Sequence, residues 1–188
     1  TGRRPEILAA TCERWEANSK AEGFTMEILT TQLTQLYTWG EGCNQLLTRA
    51  KGEYVALVPD DVLPCEEGLF ATALKAFDEN VMPLGIYFHE NGEPLHPNID
   101  LLTHGQEHGW SRCFLLPQDL VQQLGPMIDA TWYADVEYSE RLLHRGWKIE
   151  ARDNYWYTHL EAPRDWLTDE EEQRSRELYE KTVKERDS

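Results

Sequence analysis

A chain of 188 residues with 40% hydrophobic and 11% aromatic content has the size and composition of one folded domain, and its four cysteines are too scattered for a disulfide framework or a zinc site. Thirty-four acidic against 18 basic residues give a formal charge of -16, which repels a phosphate backbone and disfavours nucleic-acid binding. No apolar run approaches the roughly 20 residues of a membrane span, and no export signal opens the chain, so a soluble, cytoplasmic protein is expected.

In chain order, Arg3 and Arg4 lie in an opening loop. Residues 5–17 then place Ile7, Leu8, Thr11 and Trp15 at helical spacing behind a proline suited to a first turn. A short apolar segment at 26–29 precedes a helix expected over about 42–50, closed by Lys51-Gly52 because glycine accepts the C-terminal cap conformation. Residues 54–58 form a continuous, partly β-branched apolar run, the pattern of a central strand covered on both faces, and the run ends at Pro59-Asp60-Asp61. A helix over 66–78 and a strand over 84–88 follow. From 89 to 109 periodicity gives way to Gly, Pro, Asn and His, which predicts a long excursion of the kind that carries function.

Regular structure resumes over 111–116, followed by helices over 118–124 and 134–145, the second closed by Gly146, and a strand around 148–151. Thr168, with Glu171 three residues on, forms a capping box. It opens a polar helix to about Lys184, whose narrow stripe of Leu178, Tyr179 and Val183 is expected to pack on the domain.

Three constellations have chemistry. Asp60 and Asp61 end the best strand, where ligands of open α/β sheets collect; a divalent cation bridging to a diphosphate would relieve their repulsion, and the bland alternative is a solvated turn capping the next helix. Asp135 and Glu137 sit near a helix start, either as partners of the helix dipole or with one as the general base toward a hydroxyl. His159, just past a strand, is either structural or completes a metal site begun by the aspartates.

Taken in this order, the pieces resemble glycosyltransferase family 2 over about residues 1–163. Members of that family show a Thr-Arg-x-Arg-Pro loop and an Asn-led run through Ala-x-Gly-Glu-Tyr into a strand. They also have an Asp-Asp metal motif with proline shortly after, a glycine-led segment through the base to an arginine, and a late histidine. The matching positions are Thr1 to Pro5, Asn44 to Tyr54, Asp60-Asp61 with Pro64, Gly125 to Arg141, and His159.

The resemblance implies a GT-A fold, a single Rossmann-like α/β domain whose mixed, mostly parallel sheet is flanked by helices, with the acidic C-terminal helix occupying 164–188. It implies an inverting glycosyltransferase that moves a sugar from a nucleotide-diphosphate donor, a UDP-sugar in the first instance, to a hydroxyl acceptor, with Mn2+ or Mg2+ as cofactor. In that scheme Asp61 and His159 bind the metal and Asp60 contacts the donor ribose or sugar. Arg3, Arg4 and Arg112 approach the phosphates, Trp110 borders the donor sugar, Asn44 belongs to the donor-binding set, and Asp135 is the base.

Some positions depart from the family pattern. Val62 stands where many relatives carry a third acidic or polar residue, and Ala134 replaces the glutamate before the base, with Glu137 as its partial substitute. The segment after Ile28 lacks an aspartate for the nucleobase, and the first strand is either absent or begins upstream of Thr1. The departures favour a second reading, a non-catalytic nucleotide-sugar or glycan-binding module of the same fold. A nucleotidyltransferase-like enzyme ranks below both, since no glycine-rich phosphate loop is present.

Overall fold

Helices form on both sides of a layer of strands in a computed structural model that describes residues 5–31, 38–64, 67–88, 113–160, 168–186 and 188. Helix α1 (Pro5–Ala21) runs past its expected end, and Gly23, at φ 81°, turns the chain in a conformation that glycine adopts without penalty. Helix α2 (Trp39–Leu47) starts earlier than the apolar spacing indicates, because Thr38 Oγ1 accepts the Glu41 N–H at 3.1 Å and caps the first turn. It also ends earlier: the Thr48 N–H turns back onto the Asn44 and Leu46 carbonyls, so Gly52 is not its cap. Helix α3 (Leu69–Asp78) is capped from outside, the Glu22 carboxylate accepting the Phe70 and Ala71 N–H groups at 3.3 and 2.9 Å.

The strands are β1 (Tyr54–Leu57), β2 (Val62–Pro64), β3 (Val81–Phe88), β4 (Phe114–Pro117) and β5 (Lys148–His159). Strand β1 pairs antiparallel with β4, while β5 lies between an antiparallel β2 and a parallel β3. The architecture is mixed α/β with a parallel pair, but two of the three pairings among the described residues are antiparallel, correcting the expectation of a mostly parallel sheet. An apolar run dictates burial of a strand's faces and leaves its direction to the pairing, so the pattern of 54–58 could not specify it.

Helices α4 (Gln118–Leu124), α5 (Ala134–His144) and α6 (Asp169–Arg186) complete the order. Two cores flank the strands. On one side Cys43 of α2, Leu120, Val121 and Leu124 of α4, and Tyr138 and Leu142 of α5 meet Val55, Leu57, Leu84, Leu116 and Ile149. On the other, Trp15 of α1 and Leu69, Phe70 and Ala73 of α3 meet Val62, Leu115, Tyr155 and Tyr157. Neighbouring Leu115 and Leu116 thus enter different cores, as period-two alternation requires. Strand β1 has both faces covered as its sequence predicts, since Ala56 and Val58 pack on the second core, although Tyr54 at its start stays 37% exposed.

The largest departure is in β5, which continues to His159 rather than stopping near residue 151. Its register with β3 shifts between Leu84↔Ala151 and Ile86↔Trp156, so residues 152–155 bulge against Gly85 alone. That irregularity breaks the alternation on which the shorter reading rested.

Candidate functional site

The turn after β1 is fixed by its main chain. Val62 N–H closes it onto the Pro59 carbonyl at 3.4 Å, leaving Asp60 and Asp61 as its central residues. Three successive carbonyls then find separate donors: Thr11 Oγ1 on Asp60 O at 2.6 Å, Leu160 N–H on Asp61 O at 2.8 Å, and Trp15 Nε1 on Val62 O at 3.0 Å. Thr11 and Trp15 are one helical turn apart on α1, so a single face of that helix reaches both ends of the acidic pair. Trp15 is itself held by Tyr157, stacked at 6.0 Å and 25°, and by the edge of Phe70.

Strand β5 brings up the histidine. Val62 is paired with His159, and the imidazole Nε2 lies 3.7 Å from Asp61 Oδ2. Asp61 is fully buried at 0% exposure, and Asp60 and His159 are buried beside it. Burying a carboxylate is unfavourable unless a cation or hydrogen bonds compensate, and the His159 imidazole is one polar neighbour that Asp61 has. One carboxylate and one imidazole also suit a cation that takes its remaining ligands from a diphosphate, and the nitrogen donor favours manganese over the strictly oxygen-seeking magnesium. Among the described residues no group of three or more His, Cys, Asp and Glu side chains is arranged to hold a metal by itself. Val62, at the place of a third acidic residue, is a fully buried member of the second core.

Asp135 lies in the first turn of α5 and is held by other elements. The segment before it is clamped to α2: Asn44 accepts the Met127 N–H at 2.8 Å and donates to the Met127 carbonyl at 2.9 Å, Thr38 Oγ1 donates to Asp129 at 2.6 Å, and Gly40 N–H donates to Ala130 O at 3.0 Å. At Gly40 the chains approach so closely that an added Cβ would sit 2.0 Å from the Ile128 carbonyl oxygen. Asn44, expected among the donor-binding residues, therefore spends both ends of its amide on positioning this segment. Asp135 is close enough to Cys43 that its charge, after burial as the main cause, helps push that thiol up to about 12.

Tyr133, two residues before Asp135, adopts a left-handed φ of 65°, which costs a non-glycine residue about 1–2 kcal/mol. Glu137 does not stand in for the missing glutamate at 134, because it is only 2% exposed and its carboxylate is taken by Arg141 at 2.7 Å, with Arg186 3.8 Å away. Arg141 also donates to the Leu124 and Pro126 carbonyls at 2.7 and 2.8 Å, tying α5 to the end of α4. The expected packing of α6 on the domain is observed, with Tyr179 stacked on Tyr133 at 5.5 Å.

The structure thus brings Asp60, Asp61 and His159 together and places Asp135 on a second, separately supported segment, which Asn44 clamps from α2. Arg3, Arg4, Trp110 and Arg112 lie outside the described residues, as does the 89–109 excursion apart from its flanking strands. Sequence reasoning missed Thr11 and Trp15 as supports of the acidic turn, although their four-residue spacing on a helix was visible. It also missed the strain at Tyr133, for which an aromatic residue carries no signal. A comparison with models of known protein families finds no match, and neither does one with curated protein sequences.

Proposed function

We propose that the chain is a metal-dependent glycosyltransferase of GT-A type, transferring a sugar with inversion from a nucleotide-diphosphate donor to a hydroxyl acceptor. The observation that carries this reading is the buried Asp61–His159 pair, 3.7 Å apart, on an acidic turn whose main chain is pinned by α1 and β5. Such a site suits a divalent cation with a diphosphate, and a strand layer covered by helices on both sides is the setting in which GT-A enzymes carry it. Asp61 and His159 would hold Mn2+ or Mg2+, which when bound supplies Lewis-acid stabilisation of the departing nucleoside diphosphate. Asp60 orients the donor from the same turn. Asp135 takes the proton of the acceptor hydroxyl as its oxygen forms the new bond to the sugar carbon and the bond from that carbon to the diphosphate breaks.

The test is a thermal-shift panel of UDP, GDP, CDP, TDP and ADP, each with and without manganese, because a ligand of the native state raises the melting temperature by mass action. A manganese-dependent shift with one nucleotide, followed by release of that nucleotide from its sugar conjugate, is the expected result. A shift without turnover assigns the chain to the non-catalytic nucleotide-sugar or glycan-binding reading. The absence of any shift overturns the donor site altogether.

A further inference from the structure

Helix α6 meets the turn before Asp135 residue by residue. Thr131 Oγ1 donates to Glu171 Oε1 at 2.9 Å, and Trp132 N–H donates to the buried Ser175 Oγ at 3.3 Å. The Tyr133 ring is stacked with Tyr179 at 5.5 Å and 20°, and the Arg176 guanidinium lies over it, 5.7 Å from its centroid. Glu171, Ser175 and Tyr179 recur every four residues, so one face of α6 is dedicated to three consecutive residues of this turn. Its far end continues onto α5, where Glu140 accepts from Tyr179 Oη at 2.5 Å and from Arg186 at 2.8 Å.

The middle of that contact is the strained residue. Tyr133 has φ 65° and ψ -4°, and its carbonyl accepts the Glu137 N–H at 2.9 Å, closing the first turn of α5 around Asp135. Were Tyr133 to relax to negative φ, the peptide entering α5 would rotate and carry that turn with it. Tyr133 itself belongs to neither apolar core, so its ring is held by the contacts with α6.

We propose that α6 is a positioning helix for Asp135, with Tyr179, Arg176 and Ser175 as positioning residues that hold Tyr133 in its left-handed conformation. The inference rests on the reading of Asp135 as the base for its catalytic consequence, whereas its structural half stands apart. Tyr179→Ala removes the stacked ring and the bond to Glu140; Arg176→Met, at an exposed position, removes the cation over the ring together with the surface ion pair to Glu172 at 3.0 Å and leaves the Ser175 and Tyr179 contacts in place.

Two readouts separate positioning from ordinary destabilisation. By hydrogen exchange, either variant is expected to free the Glu137 and Tyr138 amides roughly tenfold faster, with β2 and β5 amides unchanged. With manganese and UDP-glucose as probes, kcat is expected to fall by roughly tenfold while the UDP-induced thermal shift keeps its size. Adding Tyr133→Gly to the Tyr179→Ala variant, so that the residue at 133 meets no penalty at positive φ, should restore both quantities to within about threefold of the parent. Unchanged exchange at Glu137 and Tyr138, an equal rise across all elements, or a double variant no better than the single one would each overturn the proposal. If the parent protein turns over no donor, the exchange arm alone decides, so failure of the glycosyltransferase reading and failure of the positioning helix give different results.

Discussion

Two acidic turns, one at Asp60-Asp61 and one before Asp135, are built on opposite physical plans. The first has ordinary backbone torsions, and its carbonyls are satisfied by a threonine hydroxyl, an indole N–H and the Leu160 amide just past β5, all neutral donors. The second contains a left-handed tyrosine and adds, to its neutral clamps on α2 and α6, the guanidinium contacts of Arg141, Arg176 and Arg186. Neutral hydrogen bonds inside a core are indifferent to salt, whereas partly exposed ion pairs and cation–ring contacts are screened over about 8–10 Å at physiological ionic strength. The first turn is therefore expected to be the more rigid of the two and the second, with its screened contacts, the more adjustable. Under the proposed function, such a difference would suit a reaction whose donor must be held before its acceptor is engaged.

The sharpest way to break the comparison is at the rigid turn. Asp61→Asn keeps the shape and hydrogen-bonding capacity of the side chain but removes its charge. It is expected to abolish the manganese dependence of nucleotide binding and lower turnover by roughly 10³-fold. Because the turn is held by main-chain carbonyls, the melting temperature of the free protein should stay within a few degrees of the parent. A collapse of stability instead would show that the Asp61–His159 contact supports the fold more than a ligand.

At the adjustable segment the order of effects reverses. Gly40→Ala drives a methyl group into the Ile128 carbonyl, and since both partners are backbone the clash is relieved only by shifting 126–130 away from α2. A loss of about 3 kcal/mol is expected, corresponding to roughly 6–12 °C in melting temperature, with turnover falling because Asp135 moves with the segment. Nucleotide binding with manganese should survive in whatever fraction remains folded. Loss of that binding as well would mean that the two turns are coupled.

Much of the fold was legible because its signals are local. The Thr168 cap, the 118–124 helix and the 54–58 strand rest on side-chain chemistry or apolar runs that need no distant partner. The misses among the strands share one cause: β2, the antiparallel directions and the extension of β5 to His159 are set by pairing between residues far apart in sequence, and the bulge at 152–155 hides the alternation that would have announced the strand. The site was legible as a set of residue types. What holds it was not, because nothing in a helical stripe says that Thr11 and Trp15 donate to a distant turn.

The smallest effect uses the two buried thiols, one in each core. Burial raises Cys43 and Cys113 from 9.0 to about 12; the charge of Asp135 raises Cys43 further, whereas a hydrogen bond with Tyr157 lowers Cys113. A group whose folded pKa is raised contributes stability that is complete below its unfolded value and is lost as pH climbs toward the folded one. Both thiols should therefore weaken the fold progressively between about pH 9 and 12, each by at most about 1.4 kcal/mol per pH unit. Melting temperatures across pH 8 to 11 should fall less steeply in Cys43→Ala and in Cys113→Ala than in the parent. Asp135→Asn tests the coupling directly: removing that charge makes the Cys43 thiolate easier to form and shifts its alkaline trapping by a thiol reagent to lower pH, while Cys113, in the other core, keeps its profile. Equal shifts at both cysteines would mean that Asp135 acts through the fold as a whole, and the division into a rigid and an adjustable half would fail.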